Sequence, residues 1–364
     1  MKFRILSNAL QLAVTQVNRG VSTKPPLPVL EGIKITTLDN TLRFEATDLK
    51  LGVRIEQASE IDEPGTIVLP AKLLYEISRK LPAGEATICV EGTSATITCC
   101  DSRFLVHAFA AEDFPDVVPP TQENVFHMTG ADLKEMIAKV AFGAAPDASR
   151  PMLDGILWEA SGPDQRLTAV TLDGDRLARI YGLPYSGGQR FVLPARDMQQ
   201  LDFLLPDEGL VTIIVGDSMV SFQADGVTVV MTRLAGNFTK WEPLIPASYT
   251  TLFTCQKEAL QQALDRTALV ARTGMTHQVQ FHVSENSLVL LSQGPAGESR
   301  EELPIAMEGN EMDIFFNVRL LLEMLRAIND ERIKVALNTN LSPGTFLPDG
   351  HGDWVYLLMP LRAR

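Results

Sequence analysis

A chain of 364 residues is longer than a single hydrophobic core usually serves, so two or three domains are expected. Hydrophobic residues at 45% and charged residues at 21% exclude a largely disordered chain, and no run of about 18 apolar residues offers a membrane-spanning helix. The net charge of -13 excludes a protein that grips nucleic acid with its whole surface, while leaving room for a local basic face.

The opening MKFRILSNALQLAV is broken by Ser7, Asn8 and Gln11, so no signal-peptide core is read there and a cytoplasmic protein is expected. A helix is predicted over 7–20, with Leu10, Val14 and Val17 at helical spacing. TLRFEATDLKLGVRI, up to residue 55, alternates as strands do. A second helix, 71–81, puts Leu73, Leu74, Ile77 and Leu81 on one face and stops at Pro82. TICVEGTSATITC then reads as a hairpin turning at Glu91-Gly92, its neighbours Cys99 and Cys100 facing opposite sides of a strand. Cys89, Cys99, Cys100 and Cys255 lack C-x-x-C spacing and are expected to be buried reduced thiols.

From there the chain repeats itself. LPVLEGIKIT at 27–36 returns as RPMLDGILWE at 150–159, and LRFEATDLKLGVRI at 42–55 as LTAVTLDGDRLARI at 167–180. IVLPAKLLYEISRKLP at 67–82 returns as FVLPARDMQQLDFLLP at 191–206, and DFPDVVPP from Asp113 as NFTKWEPLIP from Asn237. Four blocks in one order at nearly constant spacing mark a repeated domain. Further helices are predicted over 130–145, 195–205, 256–274 and 317–329, with a hairpin at Gly216-Asp217. FFNVRLLLEMLRAINDERIKVAL at 315–337 repeats the helix-then-strand pattern a third time, Val318-Arg319 standing where Ala71-Lys72 and Ala195-Arg196 stand. Pro-rich linkers at 116–124 and 243–251 separate three α+β domains, 1–120, 125–246 and 250–364, each holding two helices and several strands.

The six predicted helices carry twelve Lys and Arg against eight Asp and Glu, a balance of +4, which leaves -17 on the rest. Either their solvated faces favour Lys and Arg as helices do, or they share a surface that attracts a polyanion.

Seven segments, in order, resemble the bacterial DNA polymerase III beta subunit family, the replication sliding clamps. They are KPPLPVLEGI, ATDLKLGVR, LPAKLLYEISRKLP, SRFLVHAFAAEDFP, LDGDRLA, FNVRLLLEML and YLLMPLR. The resemblance implies antiparallel sheets carrying two helices per domain, and a homodimer joined head to tail into a six-domain ring around double-stranded DNA. It implies no catalysis, cofactor or metal, ATP belonging to the loader. The implied partners are the polymerase III alpha subunit, the clamp loader delta subunit and other proteins with Q-L-x-L-F type motifs.

Carried over residue by residue, the resemblance implies a peptide groove at Leu153, Leu172, Gly174, Asp175, Arg176, Leu177, Thr239, Leu244, Met359, Pro360, Leu361 and Arg362. DNA would be faced by Lys24, Lys72, Arg79, Lys80, Lys134, Lys139, Arg150, Arg196, Arg266 and Arg272. Glu298, Glu301 and Glu302 would meet Lys72 and Arg103 at the dimer seam, with Phe104, Leu269 and Val270 as its apolar part. Two departures stand out. Asp175 replaces the family's usual His, and FTKWEP replaces F-P-D-Y-R-R, with Thr239 for Pro and Pro243 for Arg. They keep open a specialised or second-copy clamp with altered partners.

An enzyme is the rival class. Asp173 with Asp175 could hold a metal, and DGHGD at 349–353 sets His351 between carboxylates. Both are common turn sequences, His107, His127, His277 and His282 lack ligand spacing, and no P-loop, G-x-S-x-G or H-E-x-x-H accompanies them.

Overall fold

A computed structural model of the chain describes every residue except 23–24, 122–123, 145–149, 163, 186, 351 and 363–364. Its described helices are α1 (Ser7–Val17), α2 (Ala71–Ser78), α3 (Gly130–Val140), α4 (Ala195–Met198), α5 (Leu201–Leu204), α6 (Lys257–Ala271) and α7 (Val318–Ala327). All paired strands run antiparallel, which gives the expected α+β class. No helix among the described residues is long and apolar enough to cross a membrane.

By compactness the chain forms two units, 1–134 with 197–233, and 135–196 with 234–364. In the first, one sheet runs Glu60–Glu63, Lys2–Leu6, Glu85–Glu91, Ser94–Cys99, Ser102–His107. Its eight-stranded sheet takes Val125–Thr129, Leu210–Val215, Met219–Ala224 and Val227–Thr232 from the middle repeat, then Leu51–Ala58, Thr41–Thr47, Gly32–Leu38 and Thr66–Pro70 from the first. α1 buries Leu10, Ala13, Val14 and Val17, and packs beside α2.

The second unit has a nine-stranded sheet in which Phe191–Pro194, Gly155–Ser161, Arg166–Leu172 and Arg176–Pro184 of the middle repeat continue into Trp354–Leu358, Gly344–Pro348, Arg332–Leu337, Thr251–Gln256 and Ala306–Gly309. Its four-stranded sheet runs Gly297–Pro304, Ser287–Gly294, Gln278–Ser284, Met312–Asn317. α6 and α7 pack together. Asn317 caps α7 by accepting the Arg319 N–H at 3.0 Å, which explains the Asn of FNVRLLLEML.

Three local expectations change. The helix expected over 195–205 is broken into α4 and α5, because its buried positions Ala195, Met198, Leu201 and Leu204 recur every three residues. That spacing suits i→i+3 hydrogen bonds, and Gln200 donates to Asp197 O at 3.0 Å and Phe203 to Gln200 O at 3.1 Å. Leu73, read onto the buried face of α2, is exposed: in a helix of two turns, Leu74 and Ile77 hold the narrow apolar stripe. Cys100 is not in a strand. The strand stops at Cys99, and Cys100 turns the chain at φ 51° with its side chain exposed.

Candidate functional site

The site grows from a cluster that two repeats share. In the first, Val29, Leu30, Val68 and Phe114 pack together. Their counterparts Met152, Leu153, Val192 and Phe238 also pack together, but in a larger cluster with Leu172, Leu177, Trp241, Val355 and Leu357. Two positions illustrate the difference. A Cβ on Gly52 would lie 2.7 Å from Val117 Cγ1, so Val117 closes over a glycine there. Leu177 and Trp241 stand at the equivalent places, and Trp241 is fixed by donating from Nε1 to Glu159 Oε1 at 2.7 Å. Glu159 also pairs with Arg190 at 3.1 Å.

The repeated Asp of these blocks makes the same turn twice. Asp48 Oδ1 accepts the N–H groups of Lys50 and Leu51 at 2.9 and 2.7 Å; Asp173 Oδ1 accepts those of Asp175 and Arg176 at 3.0 and 3.1 Å. The residue after each Asp has positive φ, 77° at Leu49 and 104° at Gly174, a conformation that glycine adopts without strain. Asp173 is thus a turn-builder, and its Oδ2 accepts Arg176 Nε at 2.8 Å.

Arg176 is 8% exposed and also donates from Nη1 to Glu323 of α7 at 2.5 Å. Burial alone would lower its pKa, but Tyr356, Glu323 and Asp173 outweigh burial and hold it above the ordinary arginine value. The guanidinium is therefore a permanently charged brace between a strand turn and a helix.

The turn is tied to the C-terminal segment. Arg176 pairs with Leu358 and Leu177 with Leu357 in the ladder, and the Met359 N–H donates to Asp175 O at 2.7 Å. Beyond it, the Leu361 N–H donates to Phe315 O at 2.7 Å, and Gln278 Nε2 to Arg362 O at 3.5 Å. Met359 is 42% exposed and Leu244 46%, while Leu153 and Pro360 are half-buried and Thr239, Gly174, Asp175 and Arg362 exposed. Leu172 and Leu177 lie in the core as a floor beneath this rim. The proposed groove residues thus belong to one unit, and the apolar surface open to a partner is the rim rather than the floor.

The proposed DNA-facing cations divide. Lys24 lies outside the described residues. Lys72, Arg79, Lys80, Arg150, Arg196 and Arg272 are exposed, Arg79 standing 5.4 Å over the Tyr75 ring. Lys134 pairs with Asp207 at 2.6 Å, Lys139 with Glu135 at 2.7 Å, and Arg266 with Glu301 at 2.6 Å. These three charges are locally compensated, so they add less to a positive field than a count of cations suggests.

Of the proposed seam residues, Arg103 and Phe104 lie on Ser102–His107, which ends its sheet, and Glu298, Glu301 and Glu302 on Gly297–Pro304, which ends another. Glu301 is held by Arg266, Glu302 accepts from Arg300 and Ser287, and Glu298 accepts from Gln293. Lys72 and Leu269 are exposed and Val270 half-buried. Sequence reasoning missed Leu105, 65% exposed on the edge strand, although the alternation in SRFLVH carries that signal. It also missed the Glu323 partner of Arg176, which no spacing could reveal because the two are 147 positions apart.

Comparison with known proteins gives three family matches: the DNA polymerase III beta subunit N-terminal domain over residues 1–119, its central domain over 127–240, and its C-terminal domain over 242–362. The chain is 28% identical to a beta sliding clamp of Synechocystis and 26% identical to one of Bacillus subtilis, covering all of this chain and 99% and 100% of those proteins. Its backbone matches the sliding clamp structure from Bacillus subtilis with TM-score 0.95 at 26% identity, and the beta subunit structure from Thermotoga maritima with TM-score 0.93 at 26%, each over both full chains. The shared name of these relatives favours the replicative reading over a specialised second copy. The chain therefore belongs to the DNA polymerase III beta subunit family, the sliding clamps that serve DNA polymerase III as non-catalytic processivity factors.

Proposed function

We propose that two copies of this chain close head to tail into a ring of six repeats, 1–120, 125–246 and 250–364 of each, around duplex DNA. One regularity supports closure. The last strand of the middle repeat, Val227–Thr232, pairs with Leu51–Ala58 of the first, and the last strand of the third, Trp354–Leu358, pairs with Arg176–Pro184 of the middle. Each repeat thus lends its last strand to the repeat before it. Among the described residues, the last strand of the first, Ser102–His107, has no such partner, and Gly297–Pro304 of the third repeat is the strand left without a lender. A second copy satisfies both, twice over, and the rotation closes. The exposed Leu73, Leu105 and Leu269 are the apolar surface such a seam would cover.

In this ring the helices line the hole, and the exposed cations Lys72, Arg79, Lys80, Arg150, Arg196 and Arg272 supply a loose, sequence-independent attraction that permits sliding. The rim around Leu244 and Met359 takes Q-L-x-L-F type peptides of the polymerase alpha subunit and the loader delta subunit. Tethering then replaces repeated encounters by a high effective concentration in the cytoplasm. Sedimentation velocity at micromolar protein tests closure. The wild type is expected at twice the chain mass of 39.9 kDa and Leu105→Lys, which places a charge on the seam without touching the core, at the single mass. A wild type that sediments as one chain would sink the ring.

A further inference from the structure

A bonded pair just past two strand ends puts a carboxylate on the rim of the groove. Asp175 immediately precedes Arg176–Pro184 and Met359 immediately follows Trp354–Leu358, each two residues from a member of the apolar cluster, Leu177 and Leu357. The Met359 N–H bonded to Asp175 O places those two residues opposite each other, where side chains stand about 5 Å apart. Asp175 is exposed, and among the described residues its carboxylate has no hydrogen-bond or ion-pair partner. Its backbone, by contrast, is held at both ends, the N–H by Asp173 and the carbonyl by Met359.

The neighbouring charges do not neutralise it. Arg176 is committed to Asp173 and Glu323, and Arg319 is paired with Glu323 at 3.4 Å. Arg150 lies nearby, its Nη1 3.5 Å from where a Cβ on Gly174 would be, but among the described residues it makes no ion pair with Asp175. Glu242, on the connecting segment beside Leu244, is a further exposed carboxylate.

From this we infer that Asp175 is a specificity-determining residue, and that the groove prefers partner peptides with a lysine or arginine beside their apolar anchors over peptides with an acidic residue there. The preference rests on the peptide-binding reading above. It comes from a fixed, unpaired negative charge next to an exposed thioether, so the peptide gains an ion pair without giving up an anchor contact. The pair is solvent-exposed, and the gain is accordingly modest, roughly two- to fivefold in Kd. At the first junction the equivalent position is Lys50, whose carbonyl accepts the Thr232 N–H at 2.8 Å, so the same backbone arrangement carries the opposite sign there.

Fluorescence anisotropy with the full-length protein tests this, using Q-L-x-L-F peptides in which x and the residue before the motif are Lys, Ser or Glu in turn. The Lys peptides are expected to bind roughly two- to fivefold tighter than the Glu peptides at low salt, with the gap closing at high salt. Asp175→Asn should abolish the difference and Asp175→Lys invert it, both variants keeping the wild-type thermal midpoint. Equal affinities for Lys and Glu peptides, or a preference that survives in Asp175→Asn, would overturn the inference and leave the groove intact. No binding by any peptide would remove the groove reading itself, and this inference with it.

Discussion

Asp173 illustrates how one residue type carries two meanings in a sequence. As the first Asp of LDGDR it suggested half of a metal pair with Asp175, yet both its oxygens are engaged by the turn and by Arg176, while Asp175 looks outward. The match of Asp173 with Asp48 of the first repeat is legible in the aligned blocks, but its reason, two backbone N–H groups accepted by one oxygen, exists only in the folded turn. Asp173→Ala leaves those N–H groups and a buried guanidinium short of partners, so it is expected to destabilise the protein by about 1–3 kcal/mol in urea unfolding. A change within error would show that Glu323 alone holds the turn. All four cysteines are free, but burial holds only for Cys99 and Cys255, Cys89 being half-buried and Cys100 exposed; burial pushes the Cys255 thiol up to about 12.

At the scale of elements, the sequence located the helices to within a few residues wherever the apolar spacing was near 3.6, as in α1, α6 and α7. It failed at 195–205 because a spacing of three was read as helix without asking which helix. The break is also where Arg19 stacks 3.7 Å over the Phe203 ring and donates to Gln200 at 2.9 Å, contacts between segments that no local pattern encodes. The start of α3 shows the opposite case. Thr129 accepts the Asp132 N–H at 3.1 Å and its hydroxyl donates to Asp132 Oδ2 at 2.6 Å, a reciprocal cap written in the sequence as T-G-A-D. Gly130 inside that cap is required by space, since a Cβ would lie 1.8 Å from Pro206 O. Gly130→Ala is therefore expected to lower the thermal midpoint far more than the few tenths of a kcal/mol that an unconstrained helix start would register. A neutral or stabilising result would mean the 206 turn yields freely.

The whole molecule was largely legible through its repeats, because three copies of one pattern predicted both the sheet-rich class and the family. The sharing of the middle repeat between two compact units was not, since strand pairing across a repeat boundary leaves no periodic trace. The proposed groove rests on the resemblance, residue by residue; its apolar members look like any core in the sequence. The acid response is a property of the whole chain. Lys2 and Arg4 hold Asp62 below the usual carboxylate range, Lys34 does so for Asp116, Arg166 for Asp353, Arg266 for Glu301, and Ser287 with Arg300 for Glu302. Depressed pKa values contribute stability that is present above the unfolded carboxylate values and lost as pH falls through the folded ones. Chemical denaturation midpoints should be flat from neutral pH down to about 5 and fall below about 4. Stability that rose on acidification through that window would contradict these ion pairs.

The sheets that cross repeat boundaries also impose a schedule on the ribosome. Ile55 cannot meet Val227 until roughly 170 further residues have been made, and Ile180 waits about as long for Trp354. At about 5–20 residues per second, Leu51–Ala58 emerges with an open edge for roughly 10 to 30 s, and Arg176–Pro184 then repeats the delay. During each interval the nascent chain presents an open strand edge that the finished protein covers with its own later strand. Two chains growing side by side on one message are thus exposed to pairing through these edges before their own strands arrive.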